Sequence, residues 1–269
     1  MVSRRLVGVA AATVIVAGTV SANASSLWID DTAGNIGLVD TATGTIVPGT
    51  LHNTGQILTD IGFIGTQMYG TTFTGLFTIN TATGASALVG TYGAQAGGGM
   101  NALVGNGSSL LGASNAAVTV FNINPANAAL SNFANSTLGS AGDLAFAGGT
   151  LYESGVAGGG DALVNVSAGT VVGLFHTSSI SSFNAVFGLA DDGTTMFAVD
   201  GTTIYSVNLS NGLLTLQSDY GGHGLLDANG TAFLQENVPG PIVGAGLPGL
   251  IAACGGLVAL VRRRRKLVA

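Results

Sequence analysis

Thirteen acidic residues, three histidines and one cysteine are the groups in this 269-residue chain that could do chemistry. His52, His176 and His223 stand far apart, with no short-range pair of the H-x-x-x-H kind that a metal site uses, so each reads as a lone polar residue. Adjacent acids occur at Asp30-Asp31 and at Asp191-Asp192, the second pair within "DDGTT", and their oxygens could face Ca²⁺. Calcium takes about six to eight oxygens, often from D-x-D-x-D-G spacing. Neither pair has that spacing; both read as solvated turn residues, and no cofactor is expected. Carboxylates for glycoside hydrolysis would have to meet from separate segments. No G-x-S-x-G elbow occurs, and a Ser–His–Asp triad would need residues from distant parts of the chain. The runs Gly97–Gly99 and Gly158–Gly160 lack the helix and lysine that a phosphate cradle needs.

The elements that would position these groups repeat. One unit is an apolar run closed by a turn: "IGLVDTATG" (36–44), "LFTINTATG" (76–84), "VTVFNINPANA" (118–128), "DALVNVSAG" (161–169) and "IYSVNLSNG" (204–212). The turns open on Asp40, Asn80, Asn124, Asn165 and Asn208, at intervals of 40, 44, 41 and 43 residues. A side-chain oxygen there bonds the backbone ahead of it, and the later glycine accepts a positive φ, so these are hairpin turns. A second unit has a short apolar strand, a glycine turn and another apolar or aromatic strand. It occurs at 60–70, 101–112, 142–153 and 186–199, and again at 223–235 in "HGLLDANGTAFLQ". The segment from "SLWIDDTAGNIGLVDTATG" begins in mid-module and would complete that last unit.

A period near 42 over residues 25–237 gives about five modules, each of about four short strands. The expected fold is all-β: one β-propeller-like domain of about five blades, its N-terminal strands closing the last blade. A β-solenoid or sandwich is the alternative. A signal helix (1–24) and a hydrophobic sorting helix (238–269) would flank the body.

Charge separates the ends from the body. Charged residues make up 7% of the chain, against roughly 25% in an average globular protein. All seven basic residues are Arg4, Arg5, Arg262, Arg263, Arg264, Arg265 and Lys266, while all 13 acids fall between them. The body therefore carries 0 − 13 = −13, with no internal salt bridge to Lys or Arg and no means of neutralising phosphate, so nucleic acid is excluded as a partner. Arg4 and Arg5, an apolar stretch and the small-x-small site Ala22-Asn23-Ala24 form the layout of a secretory signal peptide, cleaved by signal peptidase. Pro241 to Val261 is 21 residues without a charge, long enough to span a bilayer, and the basic cluster beyond it would stay cytoplasmic. Cys254 lies within that stretch and reads as a small apolar filler, which leaves the body without disulfides.

Val238-Pro239-Gly240-Pro241, the glycine-rich apolar span and the terminal arginine cluster resemble the PEP-CTERM sorting signal of Gram-negative bacteria. Gly240 stands where that family usually has glutamate, as in its VPGPIxGAGLPGL variant. The resemblance implies cleavage near the motif by an exosortase, a transient stay in the cytoplasmic membrane, and release to the cell envelope or extracellular matrix. A plain C-terminal membrane anchor is the competing reading. With no catalytic constellation in view, the expected role is a non-catalytic scaffold or binding protein, with exopolysaccharide or envelope proteins as partners. The alternative is a secreted propeller enzyme, a sugar or lactone hydrolase or lyase, with its site in the central channel.

Overall fold

The computed structural model describes residues 25–97 and 99–234, and these form a five-bladed β-propeller. Blade I combines β1 (Ser26–Asp31), β2 (Asn35–Asp40) and β3 (His52–Asn53) with β20 (Ala228–Ala232) as its innermost strand. Blade II holds β4 (Asp60–Ile64), β5 (Gln67–Thr71), β6 (Gly75–Ile79) and β7 (Ser86–Thr91). Blade III holds β8 (Met100–Asn106), β9 (Ser109–Ser114), β10 (Ala117–Ile123) and β11 (Leu130–Asn135). Blade IV holds β12 (Ser140–Ala147), β13 (Thr150–Ala157), β14 (Gly160–Asn165) and β15 (Thr170–Leu174). Blade V holds β16 (Val186–Asp191), β17 (Met196–Asp200), β18 (Thr203–Val207) and β19 (Leu214–Asp219). All pairings within the blades are antiparallel, and a 3-10 turn at Gly93–Ala96 is the sole helical element among the described residues. The expected signal and sorting helices lie outside the described residues.

Burial falls from the axis outward, as blades packed on both faces require. Inner strands such as β4 are almost wholly buried, whereas the outermost β7, β11 and β19 are mostly exposed or half-buried. The apolar residues form five clusters, one in each gap between neighbouring blades. Trp28, Leu58 and Met68 fill the gap between blades I and II, and Leu27, Phe197 and Tyr220 that between V and I.

The five turns opened by Asp40, Asn80, Asn124, Asn165 and Asn208 join the third and fourth strands of each blade. In four of them the side-chain oxygen accepts the N–H two residues ahead at 2.9 Å, while Asn165 accepts that of Ala168, three ahead, at 2.9 Å. Gly44 and Gly212 meet two demands at once: φ of 71° and 76°, and a position where a Cβ would collide with the backbone of the preceding blade.

The ring closes through β1 and β20, with Trp28 opposite Ala232 and Asp30 opposite Gly230. The module split is one strand plus three. Of the expected unit at 223–235, the described residues 223–234 supply β20 alone, not the strand–turn–strand unit that the sequence suggests, because Gly230 is a mid-strand glycine. A Cβ there would overlap the Asp60 carboxyl.

Candidate functional site

The innermost strands β4, β8, β12, β16 and β20 each turn one unpaired edge to the propeller axis. Buried backbone N–H groups on such an edge need acceptors. Two carboxylates supply them for all five blades. Asp60, in β4, accepts the N–H of Ile61 at 2.6 Å and that of Leu103 in β8. Asp143, in β12, accepts the N–H of Leu144 at 2.6 Å, of Leu189 in β16 at 2.6 Å and of Thr231 in β20 at 3.1 Å. The Thr231 hydroxyl adds a bond to Asp143 at 3.0 Å. The corresponding positions on the other inner strands are Ala102, Gly188 and Gly230, small enough to leave the axis to the two acids; a Cβ on Gly188 would press on Thr231.

A second tier of bonds runs from blade to blade beside this hub. Asn229 Nδ2 donates to the Leu58 carbonyl at 2.8 Å, Thr59 Oγ1 to Met100 at 3.0 Å, Asn101 Nδ2 to Ser140 at 3.2 Å and Ser154 Oγ to Val186 at 2.6 Å. The Ala228 N–H closes the circle on the Gly201 carbonyl at 3.0 Å.

Asp30, Asp60 and Asp143 are fully buried. Burial drives all three carboxyls well above the ordinary aspartate range, and mutual repulsion pushes Asp30 and Asp60 further; the bonds to Asp143 offset part of its rise. The two hub carboxyls meet on neighbouring residues of β20: Asp60 fills the space at Gly230, and Thr231 donates to Asp143. Neither oxygen of Asp30 has a partner among the described residues. Two further acids are buried away from the hub. Burial raises Glu153, which takes a bond from the Ser136 hydroxyl, to about 7. It raises Asp161, which accepts the Val186 N–H at 3.0 Å, to about 6.

These placements correct the reading of Asp30-Asp31 as solvated turn residues. Both are buried at the end of β1. Asp31 is an internal clasp: it accepts the N–H groups of Ala33 at 2.9 Å, Asn35 at 2.8 Å and Leu226 at 3.0 Å. The sequence reads as a turn there because Thr32-Ala33-Gly34 follows at once, but the carboxylates point into the blade packing. Asp191 and Asp192 do sit at a turn. Asp192 accepts Thr194 N–H at 2.8 Å, Thr194 Oγ1 at 2.7 Å, Thr195 N–H at 2.8 Å and the Ser25 hydroxyl. The histidines are not brought together: His52 is in β3, His176 bonds the Leu174 carbonyl at 2.9 Å, and His223 lies in the crossing from blade V to blade I. No group of three or more His, Cys, Asp or Glu among the described residues is arranged to hold a metal ion.

Sequence reasoning did not find Asp60 and Asp143, although a signal is present. "DIGF" (60–63) and "DLAF" (143–146) place an acid at the same point of two alternate modules, and the other three modules have Ala102, Gly188 and Gly230 there.

The channel opens on the face that carries the turns between first and second strands, here the lower face. Its mouth is walled by Phe63, Phe146 and Phe233 with Val104 and Ala190, and Asp191 is the one ionisable group in the lining. Both ends of the described chain reach this face: Ser25 bonds Asp192, and Phe233 follows β20 at the mouth. The opposite, upper face carries the crossings between blades. Exposed Ile57, Phe73, Val118, Val156, Ile180 and Leu226 lie on or beside its loops. Ala22, Ala24, Cys254, Val238–Pro241 and Arg262–Lys266 lie outside the described residues. No helix among the described residues is long and apolar enough to cross a membrane.

No protein-family model matches this chain, and no curated protein matches it. Solved structures do. A chain from the crystal structure of a nidogen/laminin complex superposes with a TM-score of 0.51 at 10% identity, over 78% of this chain and 98% of that one. A protein of unknown function from Bacteroides caccae gives a TM-score of 0.41 at 11% identity, over 71% of this chain and 72% of that one. At 10% identity the likeness to the first is one of fold alone.

Proposed function

We propose that this is an exported surface or matrix protein, processed by signal peptidase near Ala24 and by an exosortase near Val238–Pro241, with a non-catalytic scaffold or binding role. The observation that supports a scaffold is the hub. Its carboxylates are wholly buried and committed to backbone N–H groups, so the chemistry at the axis holds blades together. The common exit of both chain ends on the lower face fits the sorting reading. A tether at either end would turn the upper face, with its exposed apolar side chains, toward neutral polysaccharide or envelope proteins.

The test is fractionation of the native host with intact-mass measurement of the exported form. The expected product begins near Ser25 and lacks Arg262–Lys266. Recovery of that basic cluster outside the cell would replace exosortase processing with a plain anchor. One observation favours the enzyme reading: Asp191 and three phenylalanines line the same channel mouth, the side-chain types that a sugar site uses. A glycosidase, lactonase and esterase screen with and without Ca²⁺ and Zn²⁺ addresses it. Turnover lost in Asp191→Asn would establish that reading over the scaffold.

A further inference from the structure

We propose that Asp60 and Asp143 hold one proton between them, resident on Asp60, and that this proton is a structural component of the folded propeller. Two buried carboxyl groups that converge on adjacent residues of one strand, Asp60 at Gly230 and Asp143 at Thr231, repel each other unless a proton lies between them. The donor count assigns its seat. Asp143 accepts four hydrogen bonds, from Leu144, Leu189 and both polar groups of Thr231, and so holds the negative charge. Asp60 accepts two, from Ile61 and Leu103, and its hydroxyl donates to Asp143.

Among the described residues no countercharge competes for the role. Among the titratable groups around the pair, β1 contributes Asp30 and Asp31, the crossing to blade III contributes Tyr92, and the crossing to blade I contributes Tyr220 near Asp30. β16 adds Asp191 at the mouth, and β8 and β20 contain no ionisable residue. All of these are neutral or acidic, and no Lys or Arg occurs between Leu6 and Val261. Folding therefore takes the proton from solvent: an ionised Asp60 in the unfolded chain becomes a carboxylic acid in the hub.

The experiment is denaturant unfolding of the full-length protein against pH, with infrared spectra of the folded state at about pH 8, above the ordinary carboxylate range. A protonated-acid carbonyl band is expected in the wild type and is expected to be weaker in Asp60→Asn, where buried Asp30 still contributes. The folding constant should fall about tenfold per pH unit for each proton taken up, and Asp60→Asn should lower that slope by one proton. The Glu153→Gln variant should keep that slope, which separates the hub from Glu153 and serves if Asp60→Asn does not fold. A wild-type spectrum without the band, a band and slope that Asp60→Asn leaves undiminished, or a pH-independent folding constant in Glu153→Gln, would overturn the proposal. Loss of stability on adding a chelator at the same pH would also overturn it, in favour of a cation at the hub.

Discussion

Asp143 and Asp192 each accept four hydrogen bonds, two from backbone N–H groups or more and at least one from a hydroxyl, yet their carboxyls move in opposite directions. Burial acts against the charge on both. At Asp192, which is only half-buried, bonds from Ser25, Thr194 and Thr195 win and hold the carboxyl below the usual range. At Asp143 they lose, because no solvent reaches it. Hydrogen-bond count alone therefore does not set the direction in which a carboxyl shifts, although within the hub it ranks Asp143 over Asp60 as the seat of the charge. Loss of water raises the carboxyls at the hub, and access to water lets the bonds lower the one at the turn.

Removing the acceptor at each place breaks the comparison most directly. Asp143→Ala orphans buried N–H groups on three inner strands, each costing roughly 1–3 kcal/mol when left unsatisfied. The expected loss is about 4 kcal/mol or more, read from chemical denaturation, and failure to fold is within that range. A loss below about 1 kcal/mol would mean that the hub bonds are incidental.

The pH dependence sharpens the contrast, because the two classes of acid have opposite signs. Glu153 has a folded pKa raised to about 7 from an ordinary 4.5. The unfolded chain releases that proton first, so stability is greatest below the ordinary glutamate range and declines until pH passes about 7. By linkage the change is about 3 kcal/mol, and Glu153→Gln should remove it from the unfolding curve. Asp192 and Asp219 are lowered instead, so their contribution is present above the unfolded pKa and fades as pH falls through the folded one. Both are largely hydrated, which keeps that effect small. The body should be more stable at mildly acid than at neutral pH; the reverse profile would place the controlling acids at the turns.

Much of this architecture is legible in the sequence. The intervals between Asp40, Asn80, Asn124, Asn165 and Asn208 count the blades, since each opens the same turn and one side-chain oxygen suffices to mark it. The abrupt start at Ser26 announces that the ring closes with N-terminal strands. The hub is harder to read, because its meaning is collective. Asp60 is one acid in an apolar strand until Gly230, on a strand 170 residues later, proves to be the space that it occupies. Asp30 and Asp31 mislead for a related reason. Adjacent side chains on a strand point to opposite faces, and in a propeller blade both faces are interior.

At the turn, the same acceptor removal should cost far less than at the hub. Asp192→Ala leaves Thr194 and Thr195 N–H groups in a turn that water reaches, so the expected loss is about 1 kcal/mol, in the range of a lost cap. Because Ser25 also loses its partner, the variant should show faster hydrogen exchange where β1 begins, beside Thr41 N–H, which bonds the Ser25 carbonyl at 2.9 Å. A loss as large as that of Asp143→Ala would show that the lower-face turn is as tightly sealed as the axis.

The smallest effect is expected at Ala128, where the repeat departs from its own rule. It occupies the turn position that Gly44, Gly84 and Gly212 fill elsewhere and is the sole non-glycine residue of positive φ among those described, at 58°. An alanine there carries roughly 1–2 kcal/mol of backbone strain that Ala128→Gly would relieve. Two losses oppose the gain. Glycine costs roughly 0.5–1 kcal/mol more in chain entropy. The methyl group, fully buried in the cluster between blades II and III with Leu76 and Tyr92, is worth about 0.8 kcal/mol. The terms nearly cancel, so Ala128→Gly should change stability by no more than about 0.5 kcal/mol in either direction. A loss above about 1.5 kcal/mol would mean that packing outweighs strain at this turn. A comparable gain would mean that the methyl contributes nothing to the gap between the blades, and that the turn departs from glycine without any return in packing.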